Sequence, residues 1–315
     1  MTVVLVLMAA VALTAAAVLP RVLTRAGWPD REPVLGLWVW QCLVATVLVC
    51  CLAALLLGTT AAFGTVRAHA FAPAPSIPAR AAAAYQLGPS PVWLTVLTLL
   101  LACGAAWTVA MLARELAEAH RRRRLRRIHL RERAPDLPAG FPAARGPLLV
   151  LEDEYPDAWL LPGPTPQLVV TTGALRRLSD HELDAVLAHE LGHARARHDW
   201  LLHLSQALAT GFPRVPVFAH FRDQTHRLVE LAADDTASRR CGHRTTAVAL
   251  IELNRHRGVL SCACTRGQLG DRVERLLAPP PRLDAPYRAA ALLAAAVAPL
   301  IPLLIALGPA LKVLS

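Results

Sequence analysis

Four long stretches of this chain carry no Asp, Glu, Lys, Arg or His, and that property restricts how it can fold. They are Thr2–Leu19, Val34–Leu57, Val92–Ala113 and Ala289–Leu311. Each approaches or exceeds the ~20 residues that a bilayer crossing needs. In hydrocarbon every backbone polar group has to be satisfied within the segment, so runs of this kind predict about four transmembrane helices. No basic segment precedes the first run, which favours a membrane helix there over a cleaved signal peptide. Pro299, Pro302 and Pro309 should bend the fourth.

Charge is crowded between the third and fourth runs. From Arg114 to Arg288 lie 27 of the 33 basic and 21 of the 23 acidic residues, although charged residues are only 18% of the chain. The pattern predicts membrane helices flanking one aqueous domain. Its segments are 1–113 with three membrane helices (2–19, 34–57, 92–113), a basic juxtamembrane segment and linker at 114–147, a domain at 148–287, and a fourth membrane helix at 288–315. Eight arginines fall within the thirteen residues 121–133, which assigns that end of the third helix to the cytoplasm. Arg21, Arg25 and Arg31 place the first loop on the same side. The loop from Gly58 to Pro91, with only Arg67 and Arg80 in 34 residues, falls outside. Both termini are then expected outside, in a multi-pass cell-membrane protein whose central domain is cytoplasmic. The arginine run has no interleaved aromatic residues and abuts a membrane helix, so it reads as a topology anchor on lipid headgroups, with no direct nucleic-acid binding expected. Arginine in place of lysine, with abundant Ala, Leu and Pro, fits a GC-rich bacterial genome.

The central domain contains His189-Glu190-Leu191-Gly192-His193. Two imidazoles four residues apart share one helical face and can reach one metal ion, and a carboxylate beside the first can take a proton from metal-bound water. Ser179 and Glu182 make a capping box that starts the helix, which is expected to end near His198-Asp199. A catalytic zinc takes three protein ligands and keeps one position for water. Asp199, His198, His203, His226 and Glu230 are the candidates for the third. Asp199 stands where the H-E-x-x-H-x-x-G-x-x-H pattern needs histidine, so that pattern fails. His198 comes too soon after His193 on the same helix, with its side chain turned to another face. Glu230, on a second helix, is preferred, with Asp199 as the fallback. Asp234, one turn on, is placed to accept the free N–H of a ligand histidine, and Asp235 ranks lower. The expected set is Glu190 as catalytic base, His189, His193 and Glu230 around one Zn²⁺ per chain, and Asp234 behind them.

Other features weigh less. Seven cysteines without a pattern do not make a disulfide framework. Cys262-Ala263-Cys264 is a weak candidate for a second metal site. Residues 200–220 are apolar but interrupted by Gly211, Pro213 and Pro216, and are expected to form a helical hairpin resting on or dipping into the membrane face.

Asp157-Ala158-Trp159-Leu160-Leu161-Pro162-Gly163, Leu168-Val169-Val170-Thr171-Thr172-Gly173-Ala174-Leu175, the H-E-x-x-H segment and Glu230-Leu231-Ala232-Ala233-Asp234 resemble the gluzincin-type membrane metallopeptidases, over roughly residues 148–240. Among these the chain is similar both to the HtpX/Ste-type peptidases and, in its three helices before the domain and one after, to the BlaR/MecR-type antirepressor peptidases. The resemblance implies an α-helical membrane protein with an inserted α+β zincin-like cytoplasmic domain. It also implies that Leu168, Val169, Val170, Thr171 and Thr172 form an edge strand that pairs with an extended substrate. The implied activity is a zinc endopeptidase acting on a protein, in the BlaR/MecR type a DNA-binding repressor and in the HtpX type damaged membrane proteins. With Ser315 following the fourth run, no penicillin-binding sensor domain is expected. The reading from another class is a non-catalytic membrane receptor or scaffold, against which the intact Glu190 argues.

Overall fold

The computed structural model describes residues 2–70, 92–133, 148–161, 167–255 and 266–314. Helix α1 spans Thr2–Arg25, the short α2 Trp28–Arg31, α3 Pro33–Ala70 and α4 Val92–Arg133. Within α1, Thr14–Val18 widens to a π-turn just ahead of Pro20. Proline lacks an N–H and crowds the carbonyl four residues back, and a wide turn relieves both. α1, α3 and α4 are long and apolar enough to cross a membrane. A fourth span is formed if the pair α11 (Ala285–Val297) and α12 (Leu300–Leu314) counts as one; the two helices are bent by 44° at the break that holds Pro299. The helices outrun the apolar stretches that predicted them: α3 continues to Ala70, and α4 carries the arginine run as an uninterrupted helix.

The central region adds β1 (Leu148–Leu151), β2 (Ala158–Leu161), β3 (Gln167–Thr171), α5 (Thr172–Arg177), α6 (Asp180–Arg195), α7 (His198–Gly211), α8 (Pro216–Cys241), α9 (His243–Arg255) and α10 (Arg266–Leu277). The sheet has the order β1-β3-β2, with β1 parallel and β2 antiparallel to β3. This corrects the expectation of an edge strand at Leu168–Thr172. β3 is the central strand, hydrogen-bonded on both sides, and cannot accept a further strand. Thr172 has already left it to begin α5. Val169 and Val170 point to opposite faces and are both fully buried, the condition of a strand covered on each side.

The largest core joins the long apolar helices to the central region. Trp40, Leu43, Val44 and Val47 of α3 and Ala15 of α1 belong to one cluster with Leu208 of α7 and Val217, Phe218, Phe221 and Leu228 of α8. Residues 200–220 form the hairpin α7–α8, whose turn lies at Phe212–Val215. Trp107 of α4 donates its indole N–H to the Gly211 carbonyl at 2.8 Å, so the hairpin turn is fastened to one of the helices apolar enough to cross a membrane. A second core, with Val170, Ala174, Ala185, Val186, Ala249 and Leu253, packs β3, α6 and α9 together.

Candidate metal centre

α6 begins at a complete capping box. The Ser179 backbone N–H donates to Glu182 Oε2 at 2.8 Å, and Ser179 Oγ accepts from the Glu182 N–H at 3.4 Å. This fixes the helix start and with it the face on which His189 and His193 appear. Between them Gly192 lets α8 come close: a Cβ there would lie 3.3 Å from Thr236 Cβ and 3.4 Å from Ala233 Cα. The approach brings Glu230, one turn before Ala233, over the two imidazoles. His189 Nε2 stands 3.2 Å from His193 Nε2 and 3.6 Å from Glu230 Oε2, and His193 Nε2 stands 3.5 Å from Glu230 Oε1.

That triangle can be tested against zinc. Tetrahedral coordination at bond lengths of about 2.0–2.2 Å puts ligand atoms about 3.3–3.6 Å apart. The two imidazole Nε2 atoms lie close to that spacing, each meets a different oxygen of the Glu230 carboxylate within it, and the two-imidazole, one-carboxylate donor set is one that zinc accepts. His189, His193 and Glu230 make the group of potential metal ligands found among the described residues. His226 is exposed and lies on a cavity of about 400 Å³ beside Glu230 and Arg272. Asp199 and His203 are not part of the triad. Asp235 points away and pairs with Arg275 at 2.6 Å. Glu190 is half-buried on α6, next in the chain to His189. Cys262 and Cys264 lie outside the described residues.

Behind the triad, Asp234 Oδ1 accepts from His189 Nδ1 at 3.0 Å. Two partners were not legible. Arg272, from α10, donates through Nε to Asp234 Oδ2 at 2.8 Å and through Nη2 to Asp234 Oδ1 at 2.7 Å, and its Nη1 lies 2.9 Å from Glu230 Oε2. It comes from a segment with no motif, 38 residues beyond Asp234, and only its place on an amphipathic helix marks it. His198 is the second, with its Nδ1 3.0 Å from His193 Nδ1. α6 stops at Arg195, not near His198-Asp199, and Arg197 takes a left-handed conformation with φ of 51°. The chain therefore turns back, and His198 opens a new helix facing the site instead of continuing on another face of α6.

The charges are balanced as tightly as the geometry. Burial would lower the basicity of His189, but hydrogen bonds to Asp234 and Glu230 override it and raise its pKa to about 10. His193 is lowered to about 4, by burial first and then by the charge on His189. Burial pushes Glu230 up, yet the His189 hydrogen bond and Arg272 hold it well below the usual carboxylate range. Asp234 is likewise held low, against burial, by Arg272 and His189. Two carboxylates thus face one guanidinium and one protonated imidazole, that of His189. A metal ion held by this triad has to displace that proton.

A family model described as peptidase family M48 matches residues 119–292. Over 80 residues the chain is 38% identical to the plastoglobule-localized metallopeptidase 48, chloroplastic, of Arabidopsis thaliana, a match that covers 25% of this chain and 23% of that protein. The chain thus aligns with about a quarter of the length of that curated relative. No solved structure matches it.

Proposed function

The chain belongs to peptidase family M48, and on that premise we propose that it is a membrane-bound, zinc-dependent endopeptidase that hydrolyses peptide bonds of a protein substrate. The observation that carries the reading is the convergence of His189, His193 and Glu230, with the two Nε2 atoms 3.2 Å apart and each 3.5–3.6 Å from one oxygen of the Glu230 carboxylate. His189, His193 and Glu230 would hold a zinc ion, which would supply Lewis-acid activation of the attacking water and of the scissile carbonyl. Glu190 is the general base: its carboxylate takes a proton from the attacking water and passes it to the leaving amine. Asp234 holds the Nδ1–H of His189 so that Nε2 faces the triad, and Arg272 fixes the two carboxylates. The membrane helices hold the site at a bilayer, on the side where the arginine run lies, which we take as the cytoplasm.

A Glu190→Gln variant is expected to keep bound zinc and lose cleavage, measured by metal analysis and by proteolysis of a casein-type substrate with the purified full chain. Undiminished proteolysis by that variant would overturn the mechanism, and purified wild-type protein without zinc would favour a non-catalytic scaffold.

Three apolar helices before the domain and one bent pair after it are the arrangement by which the chain resembles the BlaR/MecR type, and on that resemblance alone we propose a regulatory role, removal of a DNA-binding repressor. Comparative proteomics of wild-type and Glu190→Gln cells tests it. One DNA-binding protein accumulating intact in the variant supports that role, whereas many accumulating membrane proteins support quality control.

A further inference from the structure

Each ligand histidine of the triad has a partner at its other ring nitrogen, and the two partners differ. His189 Nδ1 meets the Asp234 carboxylate at 3.0 Å. His193 Nδ1 meets another imidazole, His198, through its Nδ1 at 3.0 Å. We propose that His198 is the positioning residue of His193, accepting its Nδ1–H on an unprotonated Nδ1 and so holding His193 as an Nε2 ligand; the proposal rests on the zinc reading above.

The direction of the hydrogen bond follows from lone pairs. A neutral imidazole has one, and in His193 it has to lie on Nε2, the atom facing His189 Nε2 and Glu230 Oε1. The hydrogen then sits on Nδ1, and the atom opposite it, His198 Nδ1, has to accept. The proton of His198 is left on its Nε2. Such a contact fixes tautomer and ring orientation, as a carboxylate does behind other metal-bound histidines.

Two further observations agree. His198 is 5% exposed, so its ring nitrogen has little water to turn to and a misplaced acceptor there is costly. Its position also depends on Arg197, the one non-glycine residue with positive φ among the described residues. A left-handed residue with a side chain is strained, and such strain collects where the surrounding structure has a use for it. Here the turn brings the His198 ring back against His193.

The charge at the site explains why the acceptor is neutral. Glu230 and Asp234 already share Arg272 as their counter-ion. A third carboxylate behind His193 would lack one, whereas an imidazole supplies a lone pair without charge.

The test uses metal-stripped, full-length protein and measures zinc affinity by competition with a chelating dye. Asparagine places its amide oxygen near the position of Nδ1, and glutamine places its oxygen near Nε2. His198→Asn is therefore expected to bind zinc within a few-fold of wild type, and His198→Gln and His198→Leu about 10–100-fold more weakly. The visible spectrum of the Co²⁺-loaded protein gives a second readout: unchanged in His198→Asn, shifted in His198→Gln. Equal affinity and equal spectra for the Asn and Gln variants would overturn the role, as would His198→Leu that binds like wild type. Should His198→Leu fail to fold, the Asn–Gln pair still decides. If wild-type protein binds no zinc, the metal reading itself fails, and that outcome is distinct from a wild type that binds zinc indifferently to residue 198.

Discussion

Arg272 holds two carboxylates at once, and its loss would leave both of them at a buried site. Asp234 has a side chain only 1% exposed, so it cannot exchange the guanidinium for water. Breaking a buried ion pair from one side costs about 3–5 kcal/mol. An Arg272→Met variant, of similar volume and no charge, is expected to lose stability on that scale. Zinc should restore part of it, because a bound cation returns positive charge to Glu230. Thermal unfolding with and without zinc checks both: the zinc-induced rise in Tm should be larger in the variant than in wild type. Of this site, the sequence makes visible whatever is encoded within a helical turn or two. His189, Glu190 and His193 follow from their own spacing, and Asp234 from its distance to Glu230. Arg272 meets its partners only through the packing of α10, and His198 only through the backbone reversal at Arg197, which no glycine announces.

The elements show the same division between local and distant causes. The capping box starts α6 at Ser179, and both halves of that signal lie within four residues. The place of β3 in its sheet depends on where β1 and β2 land. Leu168-Val169-Val170 carries a hint of it, since a run without polar alternation suits a strand buried on both faces. The turn out of β3 is tighter still. Gly173 donates its N–H to the Asp153 carbonyl at 2.7 Å, and Thr172 Oγ1 accepts the Asp153 N–H at 3.1 Å. A Cβ on Gly173 would run into the Glu154 carbonyl, a backbone group that cannot swing away. Gly173→Ala is therefore expected to cost about 1–3 kcal/mol by overpacking, toward the upper end, and to loosen β3 from α5. Thermal unfolding and amide exchange across residues 167–177 measure it; wild-type protection there would refute it.

At the scale of the whole molecule, apolar run lengths and the placement of arginines foretell helices that can span a membrane. The docking of the central region onto them is not foretold, since α8 has to serve two sides. Leu228 and Phe221 face α3 and α1, while Glu230 and Asp234 face α6. The contact with α3 is made at Gly36, where a Cβ would lie 3.1 Å from Leu228 Cδ1 and 3.1 Å from Pro29 Cβ. A Gly36→Leu variant should wedge α8 away from α3 at a cost of about 1–3 kcal/mol. Limited proteolysis in detergent, with earlier cleavage in the α7–α8 turn than in wild type, is the measurement. Asp30 adds to the same junction. Its carboxylate pairs with Arg227 of α8, and its carbonyl accepts from Arg275 of α10 at 2.7 Å.

That junction gives the reaction an altitude. Leu228 rests on the first turn of a helix long and apolar enough to cross a bilayer, and Glu230 follows two residues later, about 3 Å further along α8 at ~1.5 Å per residue. Arg227, the residue before Leu228, ties the same turn of α8 to α2 through Asp30. If α3 crosses a bilayer and the triad holds zinc, as proposed above, this junction levels the triad against the membrane as a blade is levelled on a plane's sole, and a polypeptide would be cut only where it brings a bond to that height.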